Sequence, residues 1–169
     1  MQRRTLVLAL AAAATAAVLP GCGFHLRQPP DYAFKSIYLG VSPNSGFGAE
    51  LRRYLAAGGR ITVLRDAAER DKADVVLQIL QDQRERVVLG YNANGQVREF
   101  QLRVRLRFSL ATPGGREILA PTELLLQQDQ SYDESLALAK EAEAQLIYRN
   151  LQSDAVQQII RRLSVIRDI

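Results

Sequence analysis

The most reactive side chain in this sequence is a single thiol near its beginning. Cys22 is the only cysteine, so no disulfide framework within the chain can be expected. A pair of arginines, Arg3 and Arg4, is followed by an apolar stretch from Thr5 to Leu19. This order is typical of a signal peptide, and the stretch is shorter than the roughly 20 residues that span a membrane. The pattern predicts export, by a general signal or, as a weaker alternative, a twin-arginine signal.

The residues around this thiol indicate what is done to it. The segment Leu19-Pro20-Gly21-Cys22 resembles a lipobox, with Pro20 as a departure from the usual pattern. In a lipobox the thiol is alkylated by a diacylglyceryl group before cleavage. We therefore expect a signal peptide over residues 1–21 and a mature protein that begins at a lipidated Cys22, because several acyl chains make a stable anchor. Gly23, rather than an aspartate, follows the cysteine and favours the outer membrane.

Residues for catalysis are sparse in the rest of the chain. His25 is the only histidine, and it lies beside the expected anchor. No nucleophile elbow, phosphate loop or zinc-protease motif is found, so we expect no enzyme, no cofactor and no metal. A pair of carboxylates facing each other across a cleft, as in glycosidases, is not excluded by sequence. The formal charge is +4, and it becomes lower when Arg3 and Arg4 are removed with the signal peptide. A charge this small does not indicate a nucleic-acid partner.

Three arginines alternate with apolar residues in the clearest element of the sequence. Arg103, Arg105 and Arg107 share one face of a predicted strand, about 6.6 to 6.8 Å apart. The intervening residues are apolar and predict the core face: Phe100, Leu102, Val104, Leu106, Phe108 and Leu110. The arginine face is therefore either solvated or bound to a partner.

The remaining elements follow from periodicity and turn residues. Strands are expected over residues 35–41, 61–64, 73–91 and from 117 towards 130, with an Asn94-Gly95 hairpin. A first helix has an apolar stripe of Phe47, Leu51, Tyr54 and Leu55 and ends at Gly58-Gly59. The prediction is one α+β domain over residues 35–169, after a lipidated linker at 22–34. Its architecture is a two-layer sandwich: a mostly antiparallel sheet of four to five strands with two main helices on one face.

A long closing helix completes this domain. Ser131-Tyr-Asp-Glu134 resembles a capping box, and helical periodicity continues to about Leu163. Ser153-Asp154 leaves open a break into two helices. The predicted apolar stripe is Leu136, Ala139, Ala142 or Glu143, Leu146, Ile147, Leu151, Ala155, Ile159 and Leu163.

Two motifs resemble a known family. Cys22-Gly-Phe-His-Leu-Arg27 and Ala137-Leu-Ala-Lys-Glu141, together with the order of elements between them, are similar to the LPS-assembly lipoprotein LptE family. The resemblance implies an outer-membrane protein on the periplasmic side. It also implies a complex with the LptD β-barrel as a plug in its lumen, and binding of lipopolysaccharide. A lipid-anchored assembly or pilotin-like subunit of another envelope complex is the alternative.

The resemblance also implies binding residues. The lysine that the family links to lipopolysaccharide falls on Lys140, whereas the family's other basic position falls on Ala93, and Arg98 is the nearest substitute. Lipid A carries phosphates, which arginines bind through charge-assisted hydrogen bonds. Arg103, Arg105 and Arg107 are therefore candidate contacts to lipopolysaccharide or to the polar barrel interior, with water as the simplest alternative.

Overall fold

A computed structural model describes residues 30–42 and 44–169, and Cys22 with the predicted signal peptide lies outside these ranges. The described residues form five strands and two helices, joined in part by short 3₁₀ turns at Ala67–Lys72 and Glu134–Leu136. The order is β1 (Ser36–Gly40), α1 (Gly46–Ala57), β2 (Thr62–Leu64), β3 (Val75–Tyr91), β4 (Val97–Ala111), β5 (Glu117–Ser131) and α2 (Ala137–Val165).

The strands make one open sheet in the order β2-β1-β3-β4-β5. β1 is parallel to both β2 and β3, so that β1, α1 and β2 form a β-α-β unit, while β3, β4 and β5 are antiparallel. The turn between β3 and β4 contains Gly95 at a φ of 78°, a left-handed conformation that glycine adopts without steric cost. The α+β class, the sheet and the Asn-Gly hairpin are confirmed.

Both helices pack on one face of the sheet. Phe47, Leu51 and Leu55 of α1 join the larger core cluster with the second half of α2. The first half of α2 alone covers the other end of the sheet, where Leu102 and Val104 contact a smaller cluster that includes Ala144, Ile147, Tyr148 and Leu151. The predicted core face of β4 is confirmed, because Leu102, Val104, Leu106, Phe108 and Leu110 are all buried.

α1 begins where serine caps it and ends at the predicted glycines. The Ser45 hydroxyl accepts a hydrogen bond from the Gly48 amide at 3.1 Å. Gly59 has a φ of 63° just beyond the helix. The prediction for Tyr54 is wrong: its side chain is 48% exposed. The core is already closed by Phe47, Leu51 and Leu55 on the neighbouring face.

α2 is one unbroken helix of 29 residues, so no break occurs at Ser153. Its hydroxyl instead donates to the buried Glu50 carboxylate of α1 at 2.5 Å. The capping box is also wrong, because Asp133, rather than Ser131, caps the preceding 3₁₀ turn. The predicted stripe is correct from Ile147 onwards but wrong before it. Four of its first members are exposed: Leu136, Ala139, Ala142 and Leu146.

The strand directions define two ends of the domain. The hairpin end contains the turn between β3 and β4, the end of β5 and the start of α2. The terminal end contains the turn between β4 and β5, the end of α2 and the first described residues. There, Tyr32, Ile166 and Ile169 pack against the same core cluster. The sheet face without helices, called the open face below, connects the two ends.

Candidate functional site

The hairpin end brings the predicted residues Arg98 and Lys140 into one neighbourhood. Arg98 is held near the turn by β4, and its carbonyl accepts a hydrogen bond from the Tyr132 amide at 2.8 Å. This bond ties the connection between β5 and α2 to the hairpin. Within the described residues, the Arg98 guanidinium makes no ion pair or hydrogen bond. It is therefore an available cation next to a cavity of about 330 Å³.

Two acidic side chains, Asp133 and Glu134, line that cavity. Asp133 accepts hydrogen bonds from the Ser135 amide at 2.9 Å and from the Ser135 hydroxyl at 2.7 Å. These bonds lower the pKa of Asp133, and the positive charges of Arg98 and Lys140 lower it further. An anionic ligand at this end therefore meets two cations and two carboxylates. Its phosphates must contact the two cations and avoid the two carboxylates.

Lys140 is enclosed by its neighbours. Its side chain is only 18% exposed, and the ammonium lies 2.9 Å from the Glu143 carboxylate. It also donates to the Ser131 hydroxyl at 3.2 Å. The bond from Lys140 lowers the pKa of Glu143. Because an ammonium has three N–H donors, one remains for a ligand.

A buried amide fixes the position of this lysine. Gln130, at the end of β5, is 2% exposed and donates from its side chain to the Lys140 carbonyl at 2.8 Å. The first turn of α2 is thereby tied to the edge strand. No hydrophobic pattern marks Gln130 in the sequence, because it lies among polar residues on an otherwise alternating strand.

The three arginines of β4 lie on the open face as predicted, but they differ in their surroundings. Arg105 is paired with Glu85 at 3.0 Å and with Glu123 at 2.6 Å, on the two neighbouring strands. The hydrogen bond that Arg105 donates to the Glu85 carboxylate raises the pKa of Arg105 above its ordinary value. The Arg103 side chain donates to Gln101 at 2.7 Å.

Arg107 is exposed and lies opposite Glu123 in the strand register. The open face is thus a polar surface of mixed charge. A concentrated cationic site is not formed there by the described residues.

Two further arginines were not predicted as functional. Arg84 donates to Gln152 at 3.0 Å and lies over the Tyr148 ring. Arg86 pairs with Glu141 at 3.1 Å and lies 4.8 Å from the centre of the Phe100 ring. In the register between β3 and β4, Arg84 lies opposite Val104 and Arg86 lies opposite Leu102. Pairing of the two predicted strands could therefore have placed both arginines on the helix-covered side of β3.

Membrane and metal features were also searched in residues 30–42 and 44–169. None of the helices in these ranges is long and apolar enough to cross a membrane. In the same part of the chain, no group of three or more acidic, histidine or cysteine side chains is placed to hold a metal ion.

Solved structures with this fold include bacterial lipoproteins. A solution structure of an uncharacterized lipoprotein B from Nitrosomonas europaea has 31% identity and a TM-score of 0.71, covering 84% of this chain and 90% of that one. A crystal structure of the rare lipoprotein B from Shewanella oneidensis has 24% identity and a TM-score of 0.65, covering 77% and 94%. The chain therefore has the α+β fold of small bacterial lipoproteins.

Sequence comparison defines the family within that class. The model of the LptE family, described as lipopolysaccharide-assembly, matches residues 34–163, and the chain belongs to this family. The LPS-assembly lipoprotein LptE of Yersinia enterocolitica is 27% identical over 98% of this chain and 78% of the relative. The protein of the same name from Pectobacterium atrosepticum is 27% identical over 96% and 85%. The resemblance predicted from the sequence is confirmed.

Proposed function

We propose that this protein is an outer-membrane lipoprotein that binds an LptD-type β-barrel and lipopolysaccharide. It assists assembly of the barrel as a plug in its lumen and binds lipopolysaccharide during insertion into the outer leaflet. Membership of the LptE family is the observation that carries this proposal. The placement of Arg98 and Lys140 at the hairpin end supports a ligand with phosphates.

The proposal includes the anchor. Residues 1–21 are the signal peptide, Cys22 carries the lipid on the periplasmic side, and residues 22–34 link it to the domain at 35–169. The names of the relatives, which are lipoproteins of lipopolysaccharide assembly, support this arrangement. Catalysis has no part in it.

The hairpin end suits an amphiphile with phosphates and acyl chains. Arg98 is an unpaired guanidinium among the described residues, and Lys140 retains one free N–H. A guanidinium binds phosphate through paired hydrogen bonds. Apolar side chains are exposed along the same half of α2: Leu138 is 91% exposed, and Leu136 and Leu146 are more than half exposed. These leucines offer apolar surface that acyl chains can contact.

The open face suits the wall of a large barrel. Its arginines are interleaved with Glu85, Glu123 and glutamines, so the charge is distributed rather than concentrated. The interior of an outer-membrane barrel is polar. We assign Arg103, Arg105 and Arg107 to this contact rather than to lipopolysaccharide, because Arg105 is already neutralised by two carboxylates.

Binding of purified lipopolysaccharide to variants tests the ligand part of the proposal. Lys140→Asp should weaken binding, and adding Arg98→Asp should weaken it at least tenfold, while the melting temperature stays nearly unchanged. The loss should be larger at low salt, since ions screen exposed charges over about 8 to 10 Å at physiological ionic strength. Arg149→Asp replaces an exposed arginine in the middle of α2 and is the control for Lys140→Asp, with the same charge change. Equal affinity of wild type and the double variant at both salt concentrations would refute the site.

A further inference from the structure

A shallow groove at the terminal end combines an apolar wall with two arginines. It has a volume of about 500 Å³ and lies between the last turns of α2 and the start of β5. Its described lining is Leu119, Gln158, Arg161, Arg162, Val165 and Ile166. The four α2 positions 158, 161, 162 and 165 form one stripe of the helix, because residues three and four apart lie on the same face. No carboxylate is among these described side chains.

Arg162 has a buried guanidinium nitrogen that points to a ligand. Its guanidinium lies 5.8 Å from the centre of the Phe108 ring, which contacts one side of the group. The Nη1 atom is buried and has no hydrogen-bond partner within the described residues. A buried donor without a partner is costly, more so when it belongs to a charged group. Because Arg162 lines the groove, an anion there can bind its guanidinium, and the neighbouring Arg161 would supply a second positive charge.

The apolar side chains specify what the anion is attached to. Val165 is 71% exposed although it is a large aliphatic residue, and Leu119 and Ile166 continue the apolar surface below it. Burial of such surface favours association, because apolar area is removed from water. The groove therefore matches a phosphate or other acid carried on a hydrocarbon chain.

The position of the groove in the domain indicates which membrane leaflet supplies that amphiphile. Asp31, one of the first described residues, is ion-paired with Arg60 beside the start of β2, which belongs to the terminal end. Cys22 is eight residues before Pro30, a distance of at most about 29 Å when fully extended. A lipid anchor on Cys22 therefore keeps the terminal end close to the surface of the leaflet that holds it.

We infer that this groove binds an anionic glycerophospholipid of the anchoring leaflet, with its phosphate on Arg161 and Arg162 and an acyl chain along Leu119, Val165 and Ile166. The inference goes beyond the proposed function, since it assigns a second lipid site at the opposite end from Lys140. It uses the proposed anchor only for orientation, and binding can be measured whether or not the lipopolysaccharide site exists.

The test is native mass spectrometry of the full protein, purified in detergent, with water-soluble dioctanoyl lipids. One dioctanoyl-phosphatidylglycerol should bind per protein, at least tenfold more tightly than dioctanoyl-phosphatidylcholine, whose headgroup has no net charge. Arg161→Gln with Arg162→Gln should weaken this binding at least tenfold. Val165→Glu should do the same by placing a carboxylate in the groove, and its exposed position leaves the fold intact if the arginine variant is unstable. Arg53→Gln with Arg149→Gln removes the same charge elsewhere and should bind as wild type does.

Four outcomes would overturn the inference. Equal binding of the two lipids would show that the anionic headgroup is not recognised. Equal losses in the groove and control variants would show a general effect of charge. Displacement of the lipid by inorganic phosphate alone would show an adventitious ion only. Tighter binding of lipopolysaccharide than of phosphatidylglycerol, lost in the groove variants, would assign the groove to lipopolysaccharide instead.

Discussion

Lys140 is bound to Glu143 before any ligand arrives, and this has a measurable consequence. An ion pair between residues three apart on a helix is worth only a few tenths of a kcal/mol, so a phosphate can compete with the carboxylate. We predict that Glu143→Gln raises the affinity for lipopolysaccharide severalfold at low salt, because it frees the ammonium and removes a repulsive charge. Affinity is measured by titration with purified lipopolysaccharide.

Glu141→Gln provides the control for this prediction. It removes the same charge from the same helix, but Glu141 is paired with Arg86 rather than with Lys140. It should therefore change the affinity less. An equal increase in both variants, or no increase in Glu143→Gln, would contradict a binding role for Lys140.

Asp74 connects the starts of β1 and β3, and it makes stability depend on pH. Its carboxylate accepts from the Lys35 amide at 2.8 Å and the Ser36 amide at 2.9 Å. The Lys35 bond is the main cause that lowers the pKa of Asp74. A lowered pKa in the folded state stabilises the protein above the unfolded pKa, and this stability is lost as pH falls through the folded one.

We therefore predict that Asp74→Asn lowers the melting temperature at pH 7, and that the difference from wild type shrinks between about pH 5 and pH 2. Melting curves over this range measure it. The exposed Asp71 serves as control, and Asp71→Asn should change little. A difference for Asp74→Asn that is constant with pH would mean that its charge does not matter.

At the scale of elements, β4 sets which face of the sheet is core. Val104 is 3% exposed and packs on α2, whereas Arg105 points to the open face. Val104→Asp buries an unpaired charge and should destabilise by about 3–5 kcal/mol. Arg105→Ser removes only partly exposed ion pairs and should cost less than about 1 kcal/mol for each. Urea unfolding of both variants tests this, and comparable losses would contradict the assigned faces.

The middle of α2 is hydrogen-bonded to α1 through a buried carboxylate. Ser153 donates to Glu50, and Gln152 donates to the other oxygen of the same buried carboxylate at 2.8 Å. Ser153→Ala should cost about 1–3 kcal/mol, because a charged acceptor loses a buried bond. Ser164 is the control: among the described residues its hydroxyl bonds only the Arg161 carbonyl of its own helix, so Ser164→Ala should cost less than about 0.5 kcal/mol. Equal costs in urea unfolding would argue against the interhelix bond.

Strands and helices were predicted from sequence with unequal success for physical reasons. Alternation on β4 has a period of two, so a shift of one residue would bury arginines, and only one register is stable. The first half of α2 is different because it packs against a sheet on one side and has no second helix beside it. Leucines on its free side, such as Leu138 and Leu146, fit helical periodicity as well as the buried residues do. Ser153 looked like a cap because the sequence does not show Glu50 across the interface.

Two residues of the candidate site were predicted from the sequence, but most of the residues around them were not. The resemblance to the family indicated Lys140, and Arg98 was the nearest substitute for the family's second basic position, which falls on Ala93. The Lys140 partner Glu143 lies three residues further along the same helix, so helical spacing indicates it. The other partner of Lys140, Ser131, and the buried Gln130 depend on where β5 ends relative to α2, which no local pattern specifies. The groove with Arg161 and Arg162 was missed because α2 carries arginines on several faces, and burial of one guanidinium nitrogen is a tertiary property.

At the scale of the whole molecule, the anchor and the domain are separable. Cys22→Ser should leave the melting temperature of the domain unchanged, because the lipid on Cys22 is proposed to lie in the membrane while residues between Phe34 and Leu163 form the described core. It should release the protein from outer membranes in cells that lack the partner barrel. Membrane fractionation measures this. A variant that still sediments with outer membranes in those cells would show that Cys22 is not the anchor.

The proposed complex is the central claim, and capture of the partner tests it most directly. The protein carries a C-terminal tag, is extracted from envelopes in mild detergent and is purified, and the associated proteins are identified by mass spectrometry. We predict one large outer-membrane β-barrel of the LptD type in a one-to-one ratio, retained by Lys140→Asp as by wild type. Capture of the components of another envelope machine, or of no barrel at all, would contradict the account.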